Sequence, residues 1–106
     1  MKHNTSPFES DTLKKLTKDP EFAQAFFEEL YGKPVALQLK FIRRLQGVNQ
    51  HDLAQALKMK QAFISKLEAN KQNHRLKTYE QIAGYLKGKL VFLPENAKIV
   101  FDKKAA

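Results

Sequence analysis

The 106-residue sequence contains no cysteine and only three histidines. Without cysteine, a disulfide framework, a zinc–thiolate site and a thiol nucleophile are excluded, and the composition suits a reducing compartment, for which we expect the cytoplasm. No histidine forms an H-x-x-x-H pair or lies at metal-ligand spacing from a carboxylate, and neither a phosphate loop nor a G-x-S-x-G segment occurs. The sequence therefore predicts no enzyme, no cofactor and no metal site.

Long hydrophobic runs are absent as well. The amino-terminal stretch MKHNTSPFES lacks the apolar centre of a signal peptide, and no run approaches the ~20 apolar residues that span a bilayer. We therefore expect no secretion signal and no membrane segment.

Acidic residues are few, with 11 Asp and Glu against 19 Lys and Arg, which gives a formal charge of +8. In so short a chain this excess indicates a polyanionic partner, either nucleic acid or an anionic membrane surface. The alternative is a soluble protein that is basic without using its charge for binding.

Hydrophobic residues make up 42% of the chain, enough for one folded domain with a modest core. Their spacing follows the helical period over most of the length. Asp19 before Pro20 predicts a helix start, and Gly47 predicts a helix end. After a loose polar tail over residues 1–10, the predicted helices are SDTLKKLTKDP, PEFAQAFFEEL and residues 34–47, 50–57, 61–69 and 76–87.

The carboxy-terminal part differs in character. The stretch GKLVFLP is short and β-prone, and it lies between Gly88 and Pro94, so a strand is predicted over 89–93. KIVFD is a candidate second strand. Because an isolated pair of strands is marginal in water, we expect the first strand to pair with its equivalent in a second copy. The predicted dimer strand contains Leu90, Val91, Phe92 and Leu93.

Two short helices lie close together in NQHDLAQALKMKQAFISKLEAN, residues 49–70. Asn49 is placed to cap the first, and Met59 is the apolar residue of the turn between them. Ile64 and Leu67 are placed to pack the second helix against the first. Two helices joined at a steep angle by a tight turn form the helix-turn-helix pattern.

Residues 36–87 resemble the Xre (Cro/cI-like) helix-turn-helix repressors. The matching pieces are Arg43, GVNQHDLA at 47–54, QAFISKLE at 61–68 and LKTYEQIAGYL at 76–86. The resemblance implies an all-α, lambda-repressor-like bundle of five helices that binds double-stranded DNA as a homodimer on a palindromic operator. We divide the chain into an amino-terminal tail and helical extension (1–31), the DNA-binding domain (32–88) and a carboxy-terminal strand and tail for dimerisation (89–106).

The resemblance also implies roles for individual residues. Arg43 and Glu68 match a partly buried ion pair. Where the family usually has glycine, this chain has Lys58 and Asn70. Phe63 is unusual near a DNA groove, and contact with a thymine methyl, contact with sugar carbons and burial by protein all remain open. The residues matched to base edges are Gln61, Ala62, Ser65 and Lys66, and the resemblance assigns Gln50 and Lys71 to the DNA backbone. From position at a helix start or from charge, we also expect Asn49, Lys60 and His74 at phosphates.

The two ends of the chain are similar to those of HigA-type antitoxins, on the stretches LTKDPEFAQAFFEEL and KLVFLP. Such proteins repress their own operon and neutralise a toxin, commonly an RNA-cleaving enzyme. This resemblance implies a toxin-binding surface at residues 8–31. The negative charges of Glu21, Glu28 and Glu29 there would complement a toxin, since toxins of this kind are usually basic. Three hypotheses therefore stand: a repressor that is also an antitoxin, a free-standing phage or chromosomal repressor, and an interaction module that has lost DNA binding.

Overall fold

The computed structural model describes residues 7–97. Within that range the chain forms six helices, and the predicted helices agree with them closely in the central and carboxy-terminal parts. They are α1 (Pro7–Lys18), α2 (Pro20–Tyr31), α3 (Val35–Leu45), α4 (Gln50–Leu57), α5 (Gln61–Glu68) and α6 (Leu76–Tyr85).

Local capping rules account for several helix ends. The Asp19 carboxylate accepts hydrogen bonds from the backbone N–H groups of Glu21 and Phe22, both at 3.1 Å, and so satisfies donors that the first turn of α2 leaves free. Gly47, just after α3, has a φ of 73°, as its predicted role at a helix end requires.

The prediction of a loose tail over residues 1–10 is wrong from Pro7 onward, because α1 begins at that residue.

Helices α3 to α6 enclose one hydrophobic core, in which Leu53, Ile64 and Leu67 have no exposed surface. Helix α1 packs against both α2 and α3, so α1 and α2 form a helical extension attached to the outer side of α3. The buried core cluster consists of Ala36, Leu39, Val48, Leu53, Ala54, Ile64, Leu67, Tyr79, Ile82, Ala83 and Leu86.

The strand predicted over residues 89–93 is not formed in the part of the chain that the structure describes. Helix α6 ends at Tyr85, and Lys87 has a left-handed φ of 66°. Residues 89–93 then belong to neither helix nor strand, and the Phe92 side chain is 87% exposed. A strand needs a hydrogen-bonding neighbour, and the described residues of a single copy supply none along this segment.

Two further expectations concern the carboxy-terminal part. The second candidate strand, KIVFD, lies outside the described residues. The resemblance implies a bundle of five helices. Within residues 7–97 that bundle contains four helices, α3 to α6, and the other two helices, α1 and α2, precede it. After α6 the backbone turns left-handed at Lys87, Gly88 follows, and Pro94 closes the segment, which leaves too short a stretch for a further helix there.

Candidate nucleic-acid interface

Helices α4 and α5 are joined by a tight turn of three residues, Lys58 to Lys60. Lys58 has a left-handed backbone with φ 56°, and the Met59 N–H donates to the Ala54 carbonyl at 2.9 Å, which closes the end of α4. Ala54 is 3% exposed, and its small side chain allows the two helices to approach closely. The turn therefore joins two helices that pack against each other, as the sequence pattern predicts.

One side of α5 is buried and the other faces solvent. Ile64, Leu67 and Glu68 point into the protein. The exposed residues are Gln61, Ala62, Phe63, Ser65 and Lys66. The four residues that the resemblance assigns to base edges thus lie on a single accessible face, together with Phe63. Their contact with bases stays a prediction.

A buried polar network fixes α5 to α3. The Arg43 guanidinium donates through Nε to Oε2 of Glu68 at 2.6 Å and through Nη2 to Oε1 at 2.9 Å, and its Nη1 donates to the Val48 carbonyl at 2.6 Å. Arg43 and Glu68 are only 7% and 4% exposed. This is the ion pair that the resemblance implies, and its bidentate geometry fixes both distance and orientation.

The start of α4 is joined to the same network. The Gln50 amide nitrogen donates to Glu68 Oε1 at 2.9 Å, so one carboxylate connects α3, α4 and α5. The Asn49 side-chain oxygen accepts from the Asp52 N–H at 2.7 Å and caps α4. Both residues are expected at phosphates, and both also have a role inside the protein.

The remaining residues expected at phosphates differ in accessibility. Lys60 and Lys71 are exposed, and Lys60 precedes α5 without capping it through its side chain. His74 is half-buried, and its ring lies edge-to-face against both Phe63 and Tyr79, at 5.2 and 6.1 Å between ring centroids. Its Nε2 atom is enclosed and has no hydrogen-bond partner among the described residues. A phosphate contact by His74 would therefore have to use its other ring nitrogen.

A family model described as helix-turn-helix matches residues 39–93, just over half of the chain. The chain belongs to the Cro/cI-type helix-turn-helix family. A search of curated proteins and a search of solved structures both gave no match. Members of the helix-turn-helix family are DNA-binding domains of transcription regulators, and family membership indicates the same role for this chain.

The helix-turn-helix match excludes α1 and α2, and α2 carries a distinctive surface. Ring contacts join Phe22 to Phe26, Phe26 to Phe27, and Phe27 to Tyr31, with centroids 5.3 to 6.0 Å apart. We call these four residues the α2 aromatic row. A cleft of about 310 Å³, lined mainly by apolar side chains of α2 and α3, adjoins the row.

A larger groove of about 840 Å³ lies between the start of α3, the start of α6 and residues 89–93. Tyr31 lies on its rim, and partial burial raises the pKa of the Tyr31 hydroxyl. The groove wall includes Leu90, Val91, Phe92 and Leu93, the residues predicted for the dimer strand. The sequence singles out these residues but gives no sign of the groove, which is built by elements distant in the sequence.

Two other kinds of site are absent from the residues that the structure describes. No group of His, Asp and Glu side chains there could hold a metal ion. None of the described helices is long and apolar enough to cross a membrane.

Proposed function

We propose that this helix-turn-helix protein is a sequence-specific transcriptional repressor that reads its operator with the exposed face of α5. The observation that carries the proposal is the attachment of that face: the buried Arg43–Glu68 pair orients α5 while Gln61, Ala62, Ser65 and Lys66 remain accessible. A rigidly attached helix whose outer side carries accessible polar side chains is suited to binding in the major groove.

The side chains on that face have defined preferences among base edges. The Gln61 amide can bond to adenine N6 and N7 together, and the Lys66 ammonium can donate to guanine O6 and N7. The Ala62 methyl can contact the methyl group of thymine. Lys60 and Lys71 flank the face and supply charge for phosphates, together with the free amides of the first turn of α5. Occupation of an operator over a promoter would block transcription.

The repressor acts as a homodimer in this proposal, because one small helix-turn-helix buries too little surface for specific affinity. The second copy covers the groove beside α6 and pairs with residues 89–93. In support, Val91 and Phe92 are 72% and 87% exposed, which is unusual for large apolar side chains in a monomer. Pairing of this segment with its own copy would satisfy its backbone and bury its apolar side chains in the same step.

The dimer proposal is tested by sedimentation of the full chain and of a chain without residues 89–106. The full chain should sediment as a dimer and the shortened chain as a monomer. The substitution Phe92→Ser should also shift the monomer–dimer equilibrium towards monomer, although it leaves the backbone of residues 89–93 in the chain. A shortened chain that remains a dimer of unchanged stability would contradict the proposal.

The repressor proposal is tested by fluorescence anisotropy at near-physiological salt with DNA from upstream of the gene and a shuffled copy. The native fragment should bind at least about 1000-fold more tightly. The double variant Gln61→Ala, Lys66→Ala should lose this preference. Its matched control, Lys77→Ala with Gln81→Ala, removes the same two chemical groups from exposed positions on α6 and should keep it. Equal, weak and salt-sensitive binding to both fragments would favour the interaction module that has lost DNA reading.

A second function, neutralisation of a basic toxin, is favoured by the surface of α2. That helix carries Glu21, Glu28 and Glu29 and no basic residue, although the whole chain has a charge of +8. The α2 aromatic row and its adjoining cleft offer apolar anchoring positions beside these carboxylates. A toxin with a basic and partly apolar surface would be complementary to this face.

The antitoxin proposal is tested by co-expression with the product of each gene that adjoins this one. Phe22→Ser with Phe26→Ser should abolish rescue of growth while operator binding is retained. The variant Gln61→Ala, Lys66→Ala should show the opposite behaviour, so each serves as the control for the other. The reverse pattern would exclude α2 as the toxin-binding surface. An adjacent product without toxicity would favour a free-standing repressor.

A further inference from the structure

Phe63 is the one large apolar side chain on the accessible face of α5, and it is 36% exposed. The other exposed residues of α5 are small or polar. Lys66, at the i+3 position, is its neighbour on the helix surface, so Phe63 borders the set of residues proposed to read bases. A partly exposed phenyl ring at this place costs hydration free energy unless something covers it.

The Phe63 ring is supported from the protein side. Its edge-to-face contact with His74 has ring planes 85° apart, and His74 makes a similar contact, at 86°, with Tyr79. Tyr79 is 9% exposed and belongs to the hydrophobic core. A chain of three rings therefore connects Phe63 to the core, which restricts its rotamers and leaves its outer side accessible.

The His74 ring is held in place by packing and not by polar contacts. Its Nε2 atom is enclosed without a hydrogen-bond partner among the residues described, which is unfavourable for a polar group. The His74 ring stays between Phe63 and Tyr79 despite the free-energy cost of that unpaired nitrogen. The aromatic contacts on both sides of the ring are the compensating interactions that the structure provides.

We infer that Phe63 is a specificity-determining residue that contacts the C5-methyl group of a thymine, and that His74 is a positioning residue that holds the Phe63 ring for this contact. The inference rests on the proposed reading of DNA by α5. Among the base edges of the major groove, the thymine methyl is the one apolar group, so it is the partner that a phenyl ring can distinguish. An exposed ring already fixed before binding makes this contact with little loss of side-chain entropy.

The test uses a preferred site selected from randomised duplexes by the full-length protein. Each thymine of that site is replaced in turn by deoxyuridine, which lacks only the methyl group, and affinities are measured by anisotropy. For the unmodified protein, at least one replacement should weaken binding about four-fold, the effect of one methyl group lost from an apolar contact. With Phe63→Ala, that same replacement should have no effect.

Three further variants complete the test. Lys66→Ala is the matched control: it should weaken binding overall and leave the four-fold effect of deoxyuridine unchanged. His74→Ala should abolish the effect, and His74→Phe should restore it, because phenylalanine keeps the ring contacts without the enclosed nitrogen. A purely structural role of His74 would change thermal stability but not this discrimination, so melting temperatures are measured in parallel.

The outcomes separate the two proposals. Selection that enriches no site would overturn both the repressor proposal and this inference. A selected site whose deoxyuridine effects are the same with Phe63→Ala as with the unmodified protein would overturn the inference alone. Loss of the effect in both His74→Ala and His74→Phe would leave Phe63 as the reader and exclude His74 as its positioning residue.

Discussion

The buried pair of Arg43 and Glu68 joins α5 to α3, so its loss has a predictable effect on stability. We expect Glu68→Ala to lower the free energy of unfolding by about 3–5 kcal/mol, because Arg43 would be left as a buried charge without its partner. Gln50→Ala should cost about 1 kcal/mol, since it removes one hydrogen bond of the same network. Urea unfolding followed by circular dichroism measures both.

Two controls distinguish the buried pair from a general effect of charge. Glu95→Ala removes an exposed carboxylate and should leave unfolding unchanged within about 0.5 kcal/mol. The double variant Arg43→Met, Glu68→Leu should recover most of the stability, because it removes both buried charges together. An equal loss for Glu68→Ala and the double variant would contradict this account.

Lys58 and Asn70 provide a matched comparison of left-handed residues, since both have φ 56°. A lysine side chain is unfavourable in this conformation, whereas asparagine tolerates it. We therefore expect Lys58→Gly to raise the free energy of unfolding by about 1 kcal/mol and Asn70→Gly to raise it by less. Thermal and urea unfolding of the two variants measure the difference, and a larger gain at Asn70 would contradict the explanation.

Some of these residue-level features follow from the sequence alone and others do not. The caps at Asp19 and Asn49 are predictable because each depends on a side chain and the backbone two or three residues away. The left-handed turn at Lys58 follows from resemblance to a family with glycine there. The ring contact between Phe63 and His74 depends on how α6 packs beside α5, and no local rule contains that information.

At the level of helices, α4 illustrates how one residue can serve folding and binding. Asn49→Ala removes the cap of α4 and should lower stability by about 1 kcal/mol. Asn49→Asp keeps a capping oxygen and should keep stability, but its negative charge should weaken DNA binding if Asn49 lies at a phosphate. Unfolding and anisotropy titrations of both variants separate the roles, and unchanged DNA affinity of Asn49→Asp would exclude the phosphate contact.

The contrast between helices and the predicted strand has a physical origin. A helix satisfies its backbone hydrogen bonds within its own segment, so periodicity, helped by the Asn49 cap at α4, suffices to locate α4, α5 and α6 within one or two residues. A strand takes its hydrogen bonds from another segment. The β-prone composition of residues 89–93 therefore indicates only a preference for the extended conformation. Whether a strand forms depends on a hydrogen-bonding partner that the sequence does not specify.

On the scale of the whole molecule, opposite charges are concentrated in different places. Helix α2 contains three carboxylates and no basic residue, whereas the segments flanking α5 contain Lys58, Lys60 and Lys71. The composition revealed the net charge of +8 but not this separation. The family match covers residues 39–93 and excludes α2, so the proposed DNA-binding and protein-binding surfaces lie on separate parts of the chain.

The separation of charge gives a prediction for the salt dependence of DNA binding. Each phosphate neutralised should contribute about 0.9 to the slope of log affinity against log salt concentration. We expect Lys71→Ala to reduce the magnitude of that slope by about one unit for each protomer bound, with the preference among sequences unchanged. Lys77→Ala removes the same charge from an exposed position on α6 and should leave the slope unaltered. If both variants reduced the slope equally, the affinity would arise from net charge alone, and Lys71 would have no specific place at the DNA backbone.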